Sequence, residues 1–539
     1  MGISGTRRTV GLGLALLACL VLPATLVLAA CGESSGSAGS SSSSPTFSPA
    51  PSGTPTPSAA SMTLKVMDFN IEWGGENVSF AKVIEAVKKA QPDILCLQEA
   101  WANTKRIAKE AGYPYWNEAY VVSRYPLLEP PGAHGDYLLV EVQPGRCVAV
   151  SDTHLPSDKP GSHRMRLGKP VEAILAAEKE VRLPYIQRQL KDLPPLAEQG
   201  IPVFLLGDFN APSWRDYTAE VVGTRDYVKY VVEWPVSKAI EQAGFVDSWR
   251  AVHPDPLKSL GLTWPADRPE IEDWTPGPYT PQDRIDFIYS MGPAKATAAQ
   301  LAGEKFGPEV TIPVTPWPSD HRAVVSTFTV TPGPLPVMVA LSPQVATVGD
   351  RVKAQYWADG EAGSLAVAPA GGSVADALES SALPAGGEAS GTVKLATKVL
   401  DPGAYEVLLV GAGEEVRARA PLWVQAPGAK PVLTTDAEEY TSGQPIVVTW
   451  KDAPAGRTDW IAVCKADAPD PNDFLIYQYT GGISGSAYGA GGATPDGTLT
   501  LDADTVIGPW PLPPGKYVLY YLPNDGYEAT AKTTFAVTE

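Results

Sequence analysis

Six apolar, strand-like runs in the first part of the chain meet the same small set of carboxylates, amides and histidines at one end. LKVMDFNI reaches Asn70, DILCLQE reaches Glu99, VAVSDTHL contains His154, and PVFLLGDFN leads through Asp208 to Asn210. RIDFIYS opens on Asp286, and HRAVVSTFTV is preceded by Asp320 and begins with His321. Strands that all carry polar groups at one end predict a sheet with its chemistry gathered on one rim. Helical stretches lie between them. FAKVIEAVKKA sets Val83, Ile84 and Val87 on one face. Pro92 ends that helix, and a longer helical stretch runs from about Val171 to Leu190, interrupted near Pro184. The alternation predicts a layered α/β fold.

The residue types suit hydrolysis of a phosphate ester. That reaction needs an activated water, stabilisation of a charged transition state, and help for the leaving oxygen. A hard, oxygen-coordinated cation serves the second need. Glu99, a carboxylate at the end of an apolar strand, is the best metal ligand, because burial there calls for a counter-charge. Asn70 offers either an oxygen to a metal or an amide to phosphate. Asp208 and Asn210 flank Phe209 and, on a continuing strand, point to one face. Asp208 could then orient the water while Asn210 donates to a phosphate oxygen. The competing reading of GDFN is a turn with Asx-type bonds. His321 titrates near neutrality and can take a proton from water. His154 either contacts the phosphate or is structural. His163 and Arg164, in SHRMR, form a basic patch that binds phosphate or is merely a solvated loop. Trp264, Trp274 and Tyr279 lie in a long loop before Asp286, where they stack on a substrate ring or pack the loop. His134 and His253 receive no role.

This ordered set resembles the endonuclease/exonuclease/phosphatase superfamily, the fold shared by DNase I-like nucleases, inositol polyphosphate phosphatases and bacterial sphingomyelinases. The likeness runs from Met62 to Val330. It implies a DNase I-like α/β (α+β) fold, a four-layer β-sandwich flanked by helices. It further implies a divalent-metal-dependent phosphoric ester hydrolase. Asn70, Glu99 and Asp320 would belong to the metal site, and His154, Asp208, Asn210, Asp286 and His321 to catalysis, with Asp286 orienting His321. Thr263-Trp264 resembles a threonine–aromatic step that often precedes the Asp286 strand in the superfamily. The ligand types suit Mg²⁺ or Mn²⁺, with Ca²⁺ able to compete.

The remaining chain divides in three. Residues 1–31 combine Arg7 and Arg8 with an apolar stretch and end in Leu-Ala-Ala-Cys31. That is the shape of a secretory signal, and its end resembles the lipobox of bacterial lipoproteins, with Cys31 as the lipidated residue. The expectation is an extracytoplasmic enzyme anchored to the membrane by lipid. A second match at Cys19 is followed by apolar residues, and a permanent membrane span is the alternative reading. From Ser34 to Ser61 every residue except Phe47 is Ser, Gly, Ala, Pro or Thr, a tether reaching about 30 Å as a random coil. Residues 62–331 form the expected catalytic domain. Residues 332–428 and 429–539 show only short strand patterns between Gly, Pro and Ala turns, which predicts two all-β, immunoglobulin-like modules. Those modules are candidates for binding a glycan or protein partner.

The 53 prolines and 50 glycines fit this turn-rich organisation. Cys96 and Cys147 sit in apolar strand runs and read as buried free thiols. The net charge of −18 repels nucleic acid and anionic membranes outside any local basic cleft. A phosphodiesterase or phosphomonoesterase is therefore the leading reading. A secreted nuclease, a sphingomyelinase or phospholipase C-like enzyme, and a non-catalytic surface binding protein are the alternatives. The bond cleaved and the natural substrate stay open.

Overall fold

The computed structural model describes residues 60–539 apart from 118–119, 131–132, 134–135, 268–279, 359–361, 384–389, 457, 468, 482–493, 504 and 525. Cys31, the signal and nearly all of the tether lie outside the described residues, as do His134, Trp274 and Tyr279.

The catalytic part is built on two sheets. Its principal elements are β1 (Met62–Asn70), α1 (Phe80–Ala90), β2 (Ile94–Gln98), β3 (Arg146–His154), α2 (Val171–Val181), α3 (Leu183–Asp192), β4 (Val203–Asp208), β5 (Asp286–Met291) and β6 (Ala323–Val330). In the first sheet β1 lies between antiparallel β6 and parallel β2. Met62 pairs with Val330, so the two ends of this part are neighbours. In the second sheet β4 lies between parallel β3 and antiparallel β5, and Gly333–Pro334 adds a short strand beside β3.

Alternation along the strands explains why the runs are apolar throughout: both faces are buried. Leu64 and Val66 of β1, Ile94 and Cys96 of β2, Val148 and Val150 of β3, and Phe204 and Leu206 of β4 meet between the sheets. The intervening Met67, Phe69, Leu95 and Leu97 pack beneath α1, with Val83, Ile84 and Val87. Val203 and Leu205 face the other way, against Ile186 of α3 and the helix Pro235–Gln242. The layers are thus helix, sheet, sheet, helix, the four-layer arrangement that the resemblance implied. The long helical stretch is two helices meeting at fully buried Arg182, whose guanidinium lies 2.7 Å from Glu178.

The region after residue 335 is all-β and contains one arrangement twice. In each copy a three-stranded and a five-stranded sheet enclose a shared apolar core. The first copy's five-stranded sheet includes β7 (Ala362–Pro369), β8 (Glu379–Ala382) and β9 (Gly403–Gly411). The second includes β10 (Trp460–Lys465), β11 (Ile476–Tyr479) and β12 (Gly515–Leu522) in the same positions. The strand order is the same in both copies, counted from the first strand of each. Each also carries a tyrosine corner: Tyr405 Oη donates to Asp401 O at 2.8 Å, and Tyr517 Oη to Pro513 O at 2.5 Å. Cys96, Cys147 and Cys464 are free and buried.

Candidate active site

The site is the open end of the layer between the two sheets. The same alternation that points Val66, Cys96, Val150 and Leu206 inward delivers Asp68, Gln98, Asp152 and Asp208 at the strand ends. Register then lines them up. His154 stands opposite Asp208, Asp208 opposite Asp286, and Asn70 opposite Gln98 with Glu99 one residue beyond.

His321 is the best-defined group. Its Nδ1 lies 3.0 Å from both carboxylate oxygens of Asp286, and its Nε2 lies 3.7 Å from Asp208 Oδ2 and 3.9 Å from Asp320 Oδ1. Ser319 fixes the approach, accepting from His321 N and donating to Asn70 O. Thr263 Oγ1 accepts from the backbone N–H of Ile285 and Asp286, which anchors the start of β5. Asp208 Oδ2 also lies 3.5 Å from His154 Nε2.

The electrostatics follow from crowding carboxylates in a buried place. Burial alone would keep His321 neutral, but Asp286, Asp208 and Asp320 outweigh it and hold its pKa well above the usual histidine value. His154 is raised likewise, by Asp208 against the effect of burial. Burial pushes Asp286 up to about 6 although His321 pulls it down. At Asp208 the two histidines overcome burial, and its pKa is lowered. Asp68, fully buried beside Asp286 and Asp152, is raised well above the carboxylate range, chiefly by burial.

Several expected residues do other work than their sequence suggested. Asn70 turns its amide nitrogen toward Glu99 Oε1 (3.2 Å) and Asp208 Oδ2 (3.1 Å), and its oxygen accepts from Glu72 N. It therefore ties two carboxylates together and does not present an oxygen to a metal. The strand of Asp208 stops before Asn210, which has a left-handed backbone (φ 49°). The Asx bond from Asn210 N to Asp208 Oδ1 forms, and its amide donates to Leu155 O and Asp208 Oδ2, leaving no amide hydrogen for phosphate. The turn reading and the site reading of GDFN are both true. Trp264 belongs to the site through its ring nitrogen, which donates to Asp320 Oδ2 at 3.0 Å. His163 and Arg164 do not join the cluster. They sit on the short helix Gly161–Arg166, with His163 exposed and Arg164 near Glu178. No hydrogen bond or ion pair among the described residues links either to Asp208 or His321. The helix turns the basic run away from the strand end it follows.

Glu72 escaped the sequence reading. It is buried, accepts from Asp320 N, and sits just past Asn70 in a run of left-handed residues, Glu72 to Gly75. An acid beside a Gly-Gly pair was the available signal. Glu99 is left-handed too (φ 57°), with Oε2 accepting from Trp73 N. Left-handed backbone at Glu72, Glu99 and Asn210 costs on the order of 1–3 kcal/mol each and marks a site held open by its surroundings.

The donors fit a hard cation. Glu72, Glu99, Asp208, Asp286 and Asp320 supply carboxylate oxygens against two imidazoles, a surplus of negative charge. Asp208, Asp286 and His321 bring ligand-type atoms within 4.8 Å of one another.

Comparison with known proteins agrees with this geometry. The sequence model of the Endonuclease/Exonuclease/phosphatase family matches residues 69–321, from Phe69 to His321. An uncharacterized protein of Caenorhabditis elegans is 27% identical over 297 residues, covering 50% of this chain and 93% of that protein. Similar solved structures include a mannosyl-6-phosphatase of Bacteroides thetaiotaomicron (14% identity, 49% of this chain and 99% of that one, TM-score 0.31). A humanized TDP2 of D. rerio is another (17% identity, 49% and 98%, TM-score 0.29). With the matched segment enclosing every member of the Asp286–His321–Asp208 cluster, residues 69–321 constitute a domain of the endonuclease/exonuclease/phosphatase family.

Proposed function

We propose that this chain hydrolyses phosphate esters by attack of water, with a divalent cation, Mg²⁺ or Mn²⁺, at the end of the two sheets. The observation that carries the reading is the Asp286–His321–Asp208 alignment, in which one imidazole nitrogen is anchored and the other faces a carboxylate. Glu99 and Asp320 would hold the cation with Asp208 near by, and it would supply charge neutralisation at the phosphoryl oxygens. Asp286 keeps the proton on Nδ1 of His321, leaving Nε2 to accept one from water. Asp208 accepts a hydrogen bond from that water and directs its oxygen at phosphorus. As the new P–O bond forms, the bond to the leaving oxygen breaks, and that oxygen takes a proton from His154. The net charge of −18 and the carboxylate lining weigh against a polyanionic nucleic acid as substrate.

Anchoring at Cys31 remains part of this proposal, supported by the Leu-Ala-Ala-Cys sequence and the Ser/Pro/Gly-rich stretch after it. Labelling with palmitate that persists in Cys31→Ser would reject it. The repeated strand order and paired tyrosine corners support an immunoglobulin-like identity for the two C-terminal modules. The test of activity is hydrolysis of bis(p-nitrophenyl) phosphate and p-nitrophenyl phosphate with Mg²⁺, Mn²⁺, Ca²⁺ or EDTA. Turnover that needs metal and vanishes in Glu99→Ala and His321→Ala is expected, and the preferred ester separates diesterase from monoesterase. Turnover that EDTA leaves intact would sink the metal reading.

A further inference from the structure

A cavity of about 710 Å³ opens from the active site, and the second C-terminal module forms one of its walls. On the catalytic side it is lined by Glu99, His154 and Trp101. On the opposite side stand Trp460, Tyr477, Tyr479 and Tyr527. The volume lies within the usual range for small-molecule sites.

The wall is a connected set of rings. Trp460 meets Tyr477 and Tyr527 edge-on at centroid distances of 5.7 and 5.5 Å, and Tyr477 meets Tyr479 at 6.1 Å. Tyr527 reaches across to Trp101 of the catalytic part at 6.4 Å. These rings sit on the outer face of the five-stranded sheet, the face that normally carries polar residues in a two-sheet sandwich. They border open space, and Tyr527 remains 39% exposed.

The first module is an internal control. Its tyrosine corner fixes the alignment. Tyr405 pairs with Pro369 as Tyr517 pairs with Lys465, so β7 and β10 correspond residue by residue. Trp460 then corresponds to Ser364. Tyr477 and Tyr479, through their partners on β10, correspond to Ser380 and Ala382. The same fold therefore forms with two serines and an alanine at these three positions. The aromatic residues occur only in the copy that faces the active site, so folding alone does not call for them.

We infer that the second module is a specificity element, which stacks the ring of a ring-bearing phosphate ester against Trp460, Tyr477 and Tyr479 while the phosphate lies at Glu99 and His154. The ligand chemistry is a flat-faced ring, a sugar or a nucleobase, on a small ester of low charge. Aromatic side chains hold both kinds of ring by their faces. Asp158, Glu180 and Glu99 line the same cavity with Lys159, which is paired to Glu180 at 2.8 Å, so further phosphates on the ligand are disfavoured. This placement of the phosphate rests on the proposed phosphoesterase reading, whereas capture of the ring does not.

The test uses residues 53–539, a compact unit by themselves, as wild type, as the triple variant Trp460→Ser/Tyr477→Ser/Tyr479→Ala built from the sister module, and as Trp101→Ala on the opposite wall. Ring capture is read without catalysis, by ligand-observed saturation-transfer NMR in EDTA with adenosine and with methyl α-glucopyranoside. Binding of at least one probe by the wild type, weakened about tenfold or more in the triple variant and in Trp101→Ala, is expected. The probe that binds identifies the ring. Equal binding by all three proteins, or none by the wild type, overturns the inference. Thermal melts show whether the triple variant is folded, and Trp101→Ala decides the matter if it is not. Turnover of p-nitrophenyl phosphate with Mn²⁺ is measured alongside. Ring binding without turnover rejects only the phosphoesterase reading, and turnover with unchanged ring binding rejects only the stacking wall.

Discussion

Nδ1 of His321 is 3.0 Å from each carboxylate oxygen of Asp286, so the imidazole is clamped by a buried acid and leaves a single nitrogen for chemistry. The pair should behave as one unit. His321→Ala and Asp286→Asn are each expected to lower kcat by roughly 10²- to 10⁴-fold. The double variant should be little worse than the more damaged single one. Steady-state kinetics on bis(p-nitrophenyl) phosphate measure this, and losses that multiply would show that the two residues act independently.

Cation binding should expel protons. The carboxylates hold His321 protonated in the metal-free site, and a cation among them removes that support. Calorimetric titration with Mn²⁺ near pH 7, in two buffers of different ionisation enthalpy, should report on the order of one proton released. The metal-free protein carries the matching stability signature. For His321, whose folded pKa is raised, stabilisation is complete below the unfolded value of about 6.5 and is lost as pH rises through the folded value. Asp286, raised to about 6, costs stability progressively from about pH 4 upward. Melts in EDTA should therefore fall on the alkaline side and recover with Mn²⁺. A flat profile in EDTA would reject this charge assignment.

Asp68 offers a cleaner test of buried charge. It is fully buried, accepts from Gln98 Nε2 at 2.8 Å, and is raised well above the carboxylate range by burial and by Asp286 and Asp152. An acid raised in the folded state costs nothing below its unfolded pKa and progressively more above it. Asp68→Asn keeps an oxygen for Gln98 and removes the charge. It should unfold at higher denaturant than wild type at pH 8 and at about the same denaturant near pH 4. An advantage that does not grow with pH would count against the raised pKa.

Asp216 holds two buried guanidinium groups at once, Arg250 at 2.7 Å and Arg284 at 2.9 Å. Arg284 also meets Asp247, but Asp216 is the only carboxylate printed against Arg250 among the described residues. Asp216→Ala should destabilise by about 3–5 kcal/mol, because a buried cation is left behind. Chemical denaturation gives the number, and a cost under about 1 kcal/mol would mean that water reaches the pair. Arg284 lies two residues before Asp286, so kcat should fall as well.

Much of this was legible in the sequence where a local rule sufficed. Asn70, Glu99, Asp208 and His321 could be placed at a sheet rim because strands buried on both faces must change composition where they end. The α1 face of Val83, Ile84 and Val87 followed from helical spacing. What failed were directions set by backbone turns. Asn210 left its strand through a left-handed residue, Asn70 rotated its nitrogen inward, and the short helix after Pro160 carried His163 and Arg164 away from the site. Glu72 was overlooked because its usefulness depends on a left-handed turn that spacing does not reveal. The ring wall lay further out of reach. Trp460 and Glu99 are separated by most of the chain, and only the tertiary arrangement brings them to one cavity. Trp274 and Tyr279, the loop aromatics considered for stacking, lie outside the described residues.

Met62 and Val330 are partners on adjacent strands, so the catalytic domain begins and ends at one spot. A domain of that kind behaves like a parenthesis in the polypeptide: it can be taken out of one chain and written into another without rethreading any strand. Whatever follows residue 330 can then be exchanged through recombination while the hydrolytic apparatus is inherited whole. Related chains should accordingly diverge fastest in what they accept and slowest in how they cut it.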